Sequence, residues 1–240
     1  MSTHGGHGHG QGPGDHGEHD RGEHDHSEHD RGEHNHEHPH APIDDLAGYR
    51  PESLLLEQAL RELLIEHGVL TASDIQRQID QTESRTPVLG AQIVARAWRD
   101  AAFRHALLDE AKPALGTAFA LDLANTPELT VLENTAQVHH VVCCTLCSCY
   151  PRNILGIPPA WYKSREYRSR VVIEPRAVLR EFGTDLPPER EIRVVDSTAD
   201  MRYLVIPLRP AGTEGWDEAR LAALVTRDSM IGVAQVLPPA

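Results

Sequence analysis

The heptapeptide Cys143-Cys144-Thr145-Leu146-Cys147-Ser148-Cys149 holds all four cysteines of a 240-residue chain. Thiols spread through a chain usually act as small buried hydrophobes, whereas thiols this close together bind a metal or carry out redox chemistry. Within the cluster, Cys144, Cys147 and Cys149 follow a C-x-x-C-x-C spacing. Any metal site or redox site built from thiols in this chain therefore lies within these seven residues.

Three kinds of site compete for this spacing. A redox dithiol needs two cysteines at the start of a helix, but Cys149 adds a third thiol and Pro151 follows almost at once. A structural zinc site needs four ligands, and His139 or His140 would complete the set only by folding back over the preceding strand. A catalytic metal held by three sulfurs on one tight loop leaves a coordination position open for water or substrate.

The composition argues against several partners and locations. A formal net charge of −13 disfavours a surface for nucleic acid or for an anionic membrane. No apolar run approaches the roughly 20 residues of a membrane span, and the N-terminus lacks the apolar core of a signal peptide. We therefore expect a cytoplasmic protein. Its hydrophobic content of 40% is enough for the core of an ordinary globular domain.

Residues 1–42 form a low-complexity tail of Gly, His, Asp and Glu, which we predict to be disordered because it offers almost nothing to a core. Twelve of the 16 histidines lie in residues 1–40, and the segment 20–26 is echoed by the segment 30–36. Neutral imidazoles suit Co, Ni and Zn, so a weak metal reservoir is one interpretation. A solubilising extension explains the composition equally well.

Residues 43–120 have the apolar spacing of helices and carry no catalytic motif. An arm that packs on a partner and an ordinary helical subdomain both fit this pattern. The predicted helices cover 54–67, 71–82, a segment after Gly90, and 100–112, the last closed by Pro113.

Residues 121–240 change to a mixed pattern of strands and helices, so the whole chain is predicted to have an α+β fold. Short β-branched strands are predicted at 129–132 and 138–142, and the second runs directly into the cysteines. The other predicted elements are a helix at 164–182 with a break near Pro175, strands at 191–195 and 203–207 that pair with each other, a helix at 217–227, and an extended segment at 228–236.

The octapeptide Cys144-Thr145-Leu146-Cys147-Ser148-Cys149-Tyr150-Pro151 resembles the metal-binding loop of the cobalt-type nitrile hydratase α subunit family, which also includes the thiocyanate hydrolase γ subunit. The resemblance runs from about residue 53 to the C-terminus and leaves only the His-rich tail unmatched. Further matching stretches are Leu155-Gly156-Ile157-Pro158-Pro159-Ala160-Trp161-Tyr162-Lys163-Ser164, Glu166-Tyr167-Arg168-Ser169-Arg170-Val171-Val172, Arg209-Pro210-Ala211-Gly212-Thr213-Glu214-Gly215-Trp216 and Val225-Thr226-Arg227-Asp228-Ser229-Met230-Ile231-Gly232-Val233.

This resemblance implies a domain organisation and a ligand set. A helical arm over 43–120 would be followed by a layered α/β/β/α metal-binding domain over 121–240. Cys144, Cys147 and Cys149 would bind the metal through sulfur, and Ser148 and Cys149 would bind it through deprotonated backbone amides. Two such amides imply low-spin Co(III) or Fe(III) rather than zinc.

The resemblance also implies oxidised cysteines and a partner. Cys147 would be a sulfinic acid and Cys149 a sulfenic acid, and the reaction would hydrate a nitrile to an amide. Two anionic groups need cations, which in the family are arginines of β-type subunits, so the chain would be active only in a heteromer. The family also allows a cobalt-insertion chaperone as a partner. Thr145 and Tyr150 match the cobalt branch, so we expect Co(III) rather than Fe(III).

Arg152 departs from the nitrile hydratase pattern, which has a tryptophan in the substrate pocket here, and resembles thiocyanate hydrolases. A neutral nitrile prefers an aromatic wall, whereas the thiocyanate anion prefers a cation. We therefore expect Cys149 and Arg152 at the catalytic site, with thiocyanate hydrolysis as the alternative function. A non-catalytic cobalt carrier is a more distant alternative, and a surface ion pair is the structural explanation for Arg152.

Four further positions stand out near the resemblance. Cys143 replaces a valine, and we expect a small buried side chain that faces away from the metal. Asp196 and Arg202 are expected either to support the metal ligands or to form a turn-stabilising ion pair. Asn125 falls near the place where nitrile hydratases have a glutamine behind the ligands.

Overall fold

The computed structural model describes residues 51–237, and this range contains eleven helices and four strands. The predicted tail, residues 1–42, and the first residues of the predicted arm lie outside the described range. The helices are α1 Pro51–Glu66, α2 Ala72–Glu83, α3 Val88–Arg99, α4 Ala101–Asp109, α5 Ala111–Phe119, α6 Arg152–Leu155, α7 Ala160–Lys163, α8 Arg165–Arg170, α9 Pro175–Glu181, α10 Glu218–Ala222 and α11 Arg227–Ile231. The strands are β1 Glu128–Glu133, β2 Val138–Cys143, β3 Glu191–Asp196 and β4 Met201–Ile206.

The first helices follow the predicted apolar pattern closely. Thr71 begins α2 with a capping box, because its hydroxyl accepts a hydrogen bond from the Asp74 N–H at 3.1 Å and the Asp74 carboxylate accepts one from the Thr71 N–H at 2.9 Å. Neither α1 nor α2 buries a side chain within the described part of the chain. Both helices are formed, but most of their apolar side chains, such as Leu55, Leu56 and Ile79, stay exposed among residues 51–237.

The predicted helix 100–112 is wrong at its C-terminal end. α4 stops at Asp109, and Pro113 lies inside the first turn of α5 rather than after the last turn of α4. The first N–H groups of a helix have no intrahelical partner, so a proline in the first turn costs no hydrogen bond. The break at Glu110 separates two short helices that each bury apolar side chains, among them Leu107 on α4 and Leu115 on α5.

The strands form two separate parallel pairs, and the predicted pairing of 191–195 with 203–207 is wrong. β3 pairs with β2, and β4 pairs with β1. The short segment 197–200 therefore carries the chain from one sheet to the other instead of closing a hairpin. An apolar pattern identifies a strand but not its neighbour, and that is why the sequence did not show this topology.

The remaining helices correct two more expectations. The break near Pro175 is confirmed, because α8 and α9 are separate helices. The predicted helix 217–227 ends at Ala222, and the segment 228–236 is wrong as an extended piece because it begins with α11. Thr226 caps α11 by accepting a hydrogen bond from the Ser229 N–H, and Gly232 ends it in the left-handed conformation.

One apolar core joins the two halves of the described chain. α3 packs against α6, α10 and α11, and its Ile93 and Val94 are fully buried in the same cluster as Cys143 and Cys144. A fold that mixes helices and strands is thus confirmed, whereas the layered order and the boundary at residue 120 stay predictions. Among residues 51–237, no helix has the length and apolar character needed to cross a membrane.

Gly232 gives a direct test of this packing. A Cβ at this residue would overlap the backbone carbonyl oxygen of His140, and φ is +88°, so two effects oppose any side chain. We expect Gly232→Ala to lower the free energy of unfolding by about 1–3 kcal/mol more than left-handed strain alone would. Urea unfolding of the purified chain measures this difference.

Gly212 supplies the matched control, because its φ is +79° and a Cβ there would meet nothing within 4 Å. Gly212→Ala should therefore cost only the left-handed strain, about 1 kcal/mol. Equal losses for the two variants would contradict the close approach of α11 to β2.

Candidate metal centre

The cysteine loop, residues 144–149, begins where β2 ends. Parallel pairing places Cys143, the last residue of β2, opposite Asp196, the last residue of β3. The Asp196 carboxylate then accepts two hydrogen bonds from Thr145, one from the backbone N–H at 2.9 Å and one from the hydroxyl at 2.5 Å. The neighbouring strand thereby fixes the first turn of the loop.

Three sulfurs converge inside the loop. The Sγ atoms of Cys144 and Cys147 are 3.5 Å apart, and those of Cys147 and Cys149 are 3.2 Å apart. All three lie within 4.8 Å of one another, so one ion could contact them all. Cys144 and Cys149 are buried and Cys147 is exposed, which leaves the group open on one side.

Two buried tyrosines bind the backbone of the loop and of the strand that precedes it. The Tyr162 hydroxyl donates to the Cys149 carbonyl oxygen at 2.8 Å, and the Tyr167 hydroxyl donates to the Val142 carbonyl oxygen at 2.7 Å. Tyr162 also packs edge to face against Tyr150, with ring centroids 5.1 Å apart. Aromatic packing and two hydrogen bonds therefore hold both ends of the loop against the core.

The thiols ionise unequally. Hydrogen bonds from Cys149 and Cys144 lower the pKa of the exposed Cys147 thiol, and the backbone N–H groups of Ser148 and Cys149 lower that pKa further. Burial, in contrast, raises the pKa of Cys149 to about 12. Three thiolates at these distances would repel one another, so a cation is needed to hold all three deprotonated. The donor set of three sulfurs fits a thiol-seeking transition metal.

Two of the three cysteines, Cys147 and Cys149, line a cavity of about 390 Å³. Arg152 and Arg202 also line it, and no carboxylate from residues 51–237 does. Arg152 is exposed and its side chain has no hydrogen-bond or ion-pair partner among residues 51–237. The full lining comprises Leu123, Thr126, Pro127, Leu129, Cys147, Ser148, Cys149, Tyr150, Pro151, Arg152, Asn153, Ile154 and Arg202.

Arg202 and Asp196 serve different parts of the site and do not pair with each other. Asp196 binds Thr145, whereas the Arg202 guanidinium donates to backbone carbonyl oxygens of the 197–200 turn, such as that of Ala199 at 3.2 Å. Arg202 also lines the cavity, where its charge acts on Cys149. Asn125 is exposed and is absent from the cavity lining.

The predicted fourth zinc ligands point elsewhere. The ring nitrogens of His139 lie 2.7 Å from the Gly232 carbonyl oxygen and 3.2 Å from the Asn134 amide nitrogen, and His140 also contacts Asn134. Cys143 is buried and stays outside the sulfur group. Within residues 51–237, a four-ligand zinc site is therefore not formed.

Some functional contacts had no sequence signal. Arg168, on α8, donates to the Cys147 carbonyl oxygen at 3.2 Å from 21 residues away. Tyr162 reaches Cys149 in the same way. Both residues lie in stretches that resemble the family, but nothing in their spacing showed which atoms they would contact.

Comparison with known proteins places this arrangement in a family. The family model for the nitrile hydratase alpha chain matches residues 52–234. The chain is 49% identical over 185 residues to the high-molecular weight cobalt-containing nitrile hydratase subunit alpha of Rhodococcus rhodochrous, covering 76% of this chain and 90% of the relative. It is also 45% identical over 194 residues to the thiocyanate hydrolase subunit gamma of Thiobacillus thioparus, covering 77% and 80% of the two chains.

Solved structures of the family also resemble this chain. A double mutant of the Fe-type nitrile hydratase from Comamonas testosteroni Ni1 superposes with a TM-score of 0.72 at 42% identity, covering 80% of this chain and 94% of that one. At this identity the likeness extends beyond the fold to the family, although that relative is of the iron type.

Asp196→Ala tests the anchoring of the loop. Removing the carboxylate leaves the Thr145 N–H and hydroxyl without their acceptor, so we expect the urea midpoint to fall by the equivalent of about 1 kcal/mol. We also expect the purified chain to retain less cobalt, because the first turn of the loop is no longer fixed. Unfolding and elemental analysis measure the two effects.

Asp200→Ala is the control, since Asp200 lies on the 197–200 turn that directly follows Asp196 and its carboxylate has no partner among the described residues. This variant should match the unchanged chain in both measurements. An Asp196→Ala variant that behaves like Asp200→Ala would show that the loop is held by other contacts.

Proposed function

The chain belongs to the nitrile hydratase alpha-chain family, and we propose that it is the metal-bearing subunit of a nitrile hydratase, which hydrates a nitrile to the corresponding amide. The observation that carries the proposal is a group of three sulfurs, all within 4.8 Å of one another, two of whose cysteines, Cys147 and Cys149, line a cavity large enough for a small nitrile. A structural metal site would be closed, whereas this one faces a cavity. Cys147, the exposed member of the group, lies at the opening.

The metal we propose is low-spin Co(III). Its ligands would be the sulfurs of Cys144, Cys147 and Cys149, which lie within 4.8 Å of one another, and the backbone amides of Ser148 and Cys149. A relative named as cobalt-containing at 49% identity supports cobalt, and an iron-type structural neighbour makes Fe(III) the second choice. When bound, the ion would supply a Lewis acid that polarises the carbon–nitrogen triple bond.

The cysteines themselves are proposed to take part in the chemistry. Cys147 would carry a sulfinic acid and Cys149 a sulfenic acid, both on the side of the loop that lines the cavity. The oxygen on Cys149 would then serve as nucleophile or proton acceptor beside the substrate carbon. Arg202 lies close enough to Cys149 to compensate part of this negative charge.

A partner subunit is part of the proposal. α1 exposes a row of leucines, among them Leu55 at 67% and Leu56 at 72% of their surface, and no described residue covers them. Apolar rows of this size usually mark a contact with another chain. The relatives are named as alpha and gamma subunits, so we propose that a β-type subunit covers this helix and adds arginines to the loop.

The cavity charge favours a second candidate, a thiocyanate hydrolase subunit. Apart from the cysteines, the charged side chains of the lining are Arg152 and Arg202, and no carboxylate from residues 51–237 accompanies them. Such a wall favours an anion over a neutral nitrile. The relative named as a thiocyanate hydrolase gamma subunit supports this alternative. Since Arg152 has no ion-pair partner among residues 51–237, its charge is free to face a substrate.

Activity of the cobalt-loaded complex on acrylonitrile and on thiocyanate tests both candidates. If the chain is a nitrile hydratase, amide forms from acrylonitrile, and Arg152→Trp keeps that activity because an aromatic wall suits a neutral substrate. If thiocyanate is the substrate, Arg152→Trp should lower its turnover about tenfold or more, and Arg152→Lys should lose less because the charge remains.

Arg165→Trp controls for the bulk of tryptophan, because Arg165 is an exposed arginine outside the cavity lining. It should behave as the unchanged complex on both substrates. Turnover of neither substrate by a complex that contains cobalt would contradict both candidates and favour a cobalt carrier.

A further inference from the structure

Arg168 connects the cysteine loop to the folded body of the chain. Its Nη1 donates to the carbonyl oxygens of Cys147 at 3.2 Å and Thr145 at 3.5 Å. Its Nε donates to the Ser164 carbonyl oxygen at 3.3 Å, and Ser164 is buried and caps α8. One guanidinium therefore spans the distance between a fixed helix start and the loop.

The contact at Cys147 controls the orientation of one peptide. The Cys147 carbonyl belongs to the same peptide unit as the Ser148 N–H, and a trans peptide is planar with these two groups pointing in opposite directions. Holding the carbonyl outward on Arg168 therefore turns the Ser148 N–H inward.

Burial cannot fix this peptide. Thr145, Leu146 and Cys147 are exposed, and Leu146 keeps 87% of its surface in contact with solvent. An exposed turn without anchoring groups would sample several peptide orientations. Metal binding would then have to offset the conformational entropy lost when one orientation is selected. A hydrogen bond to a charged donor restricts that choice before any metal arrives.

The positive charge of Arg168 also favours binding of the Ser148 amide to a metal. Amide resonance places part of the charge of a metal-bound amide on its carbonyl oxygen, and for Ser148 that oxygen is the one Arg168 contacts. Guanidinium stays cationic under all ordinary conditions. It therefore stabilises the peptide in its metal-bound form as well as in its orientation.

We propose that Arg168 is a positioning residue of the metal centre, which holds the Cys147–Ser148 peptide so that the Ser148 amide is presented as a ligand. The inference rests on the proposed function, because it requires that this amide binds the metal. Arg168 contacts neither substrate nor sulfur in this role. It acts through the peptide that it holds.

The test uses the chain co-expressed with a nitrile hydratase β-type subunit in cobalt-supplemented medium, as wild type, Arg168→Gln, Arg168→Lys and Arg165→Gln. Arg165 lies on the same helix, is exposed, and has no side-chain partner among residues 51–237, so Arg165→Gln makes the same charge change without touching the loop. The readouts are cobalt per complex after washing with a chelator, the sulfur-to-cobalt charge-transfer absorption, and circular dichroism for the fold.

We expect Arg168→Gln to fold and to bind its partner, but to retain about tenfold less cobalt and to lose the charge-transfer absorption in proportion. Arg168→Lys should lose less, because a cation and a donor remain although the contact with Ser164 is gone. Arg165→Gln should match the wild type. A merely structural role would lower the thermal stability of Arg168→Gln and leave both the cobalt content and the total charge-transfer absorption of the folded complex unchanged.

Two outcomes distinguish a failure of the Arg168 proposal from a failure of the proposed function. Wild-type cobalt content and absorption in Arg168→Gln would overturn the role of Arg168 and leave the proposed function intact. A wild-type complex without cobalt or without the absorption would overturn both. If Arg168→Gln does not fold, Arg168→Lys is compared with Arg165→Gln, and equal cobalt in these two overturns the inference.

Discussion

Parallel pairing of β2 with β3 is the constraint on which the candidate site depends. It brings the end of one strand, Cys143, beside the end of the other, Asp196, and the carboxylate there is within reach of Thr145. A hairpin between β3 and β4 would have left Asp196 inside a tight turn. Because β3 and β4 pair with different neighbours, the 197–200 turn lies beside the end of β2, and Arg202, near the start of β4, lines the cavity.

The site combines a rigid base with an exposed rim. Tyr162 and Tyr167 hold the two ends of the loop against an aromatic core, while Leu146 projects into solvent. Such an arrangement keeps the sulfurs close together without closing the group. The rim and the exposed row of leucines on α1 leave two surfaces for another chain. The sulfur group requires cations, and the apolar side chains of α1 are exposed to solvent. Both features are consistent with a subunit of a larger enzyme.

Local features of the site were predictable from the sequence, and distant contacts were not. The sulfur group follows from the spacing of Cys144, Cys147 and Cys149, because ligands within six residues are brought together by one turn. Helix α2 was predictable because Thr71 and an acidic residue form a capping box. The strand pairing and the contact from Arg168 were not, since both join residues far apart in sequence and alternation of apolar residues says nothing about which strands meet.

The decisive measurement is anomalous diffraction at the cobalt edge from crystals of the chain in complex with a β-type subunit. We expect one cobalt ion bound by the sulfurs of Cys144, Cys147 and Cys149 and by the backbone nitrogens of Ser148 and Cys149, with extra oxygen density on Cys147 and Cys149. Cobalt bound only by histidines, or zinc on unmodified thiols with no amide ligand, would contradict it.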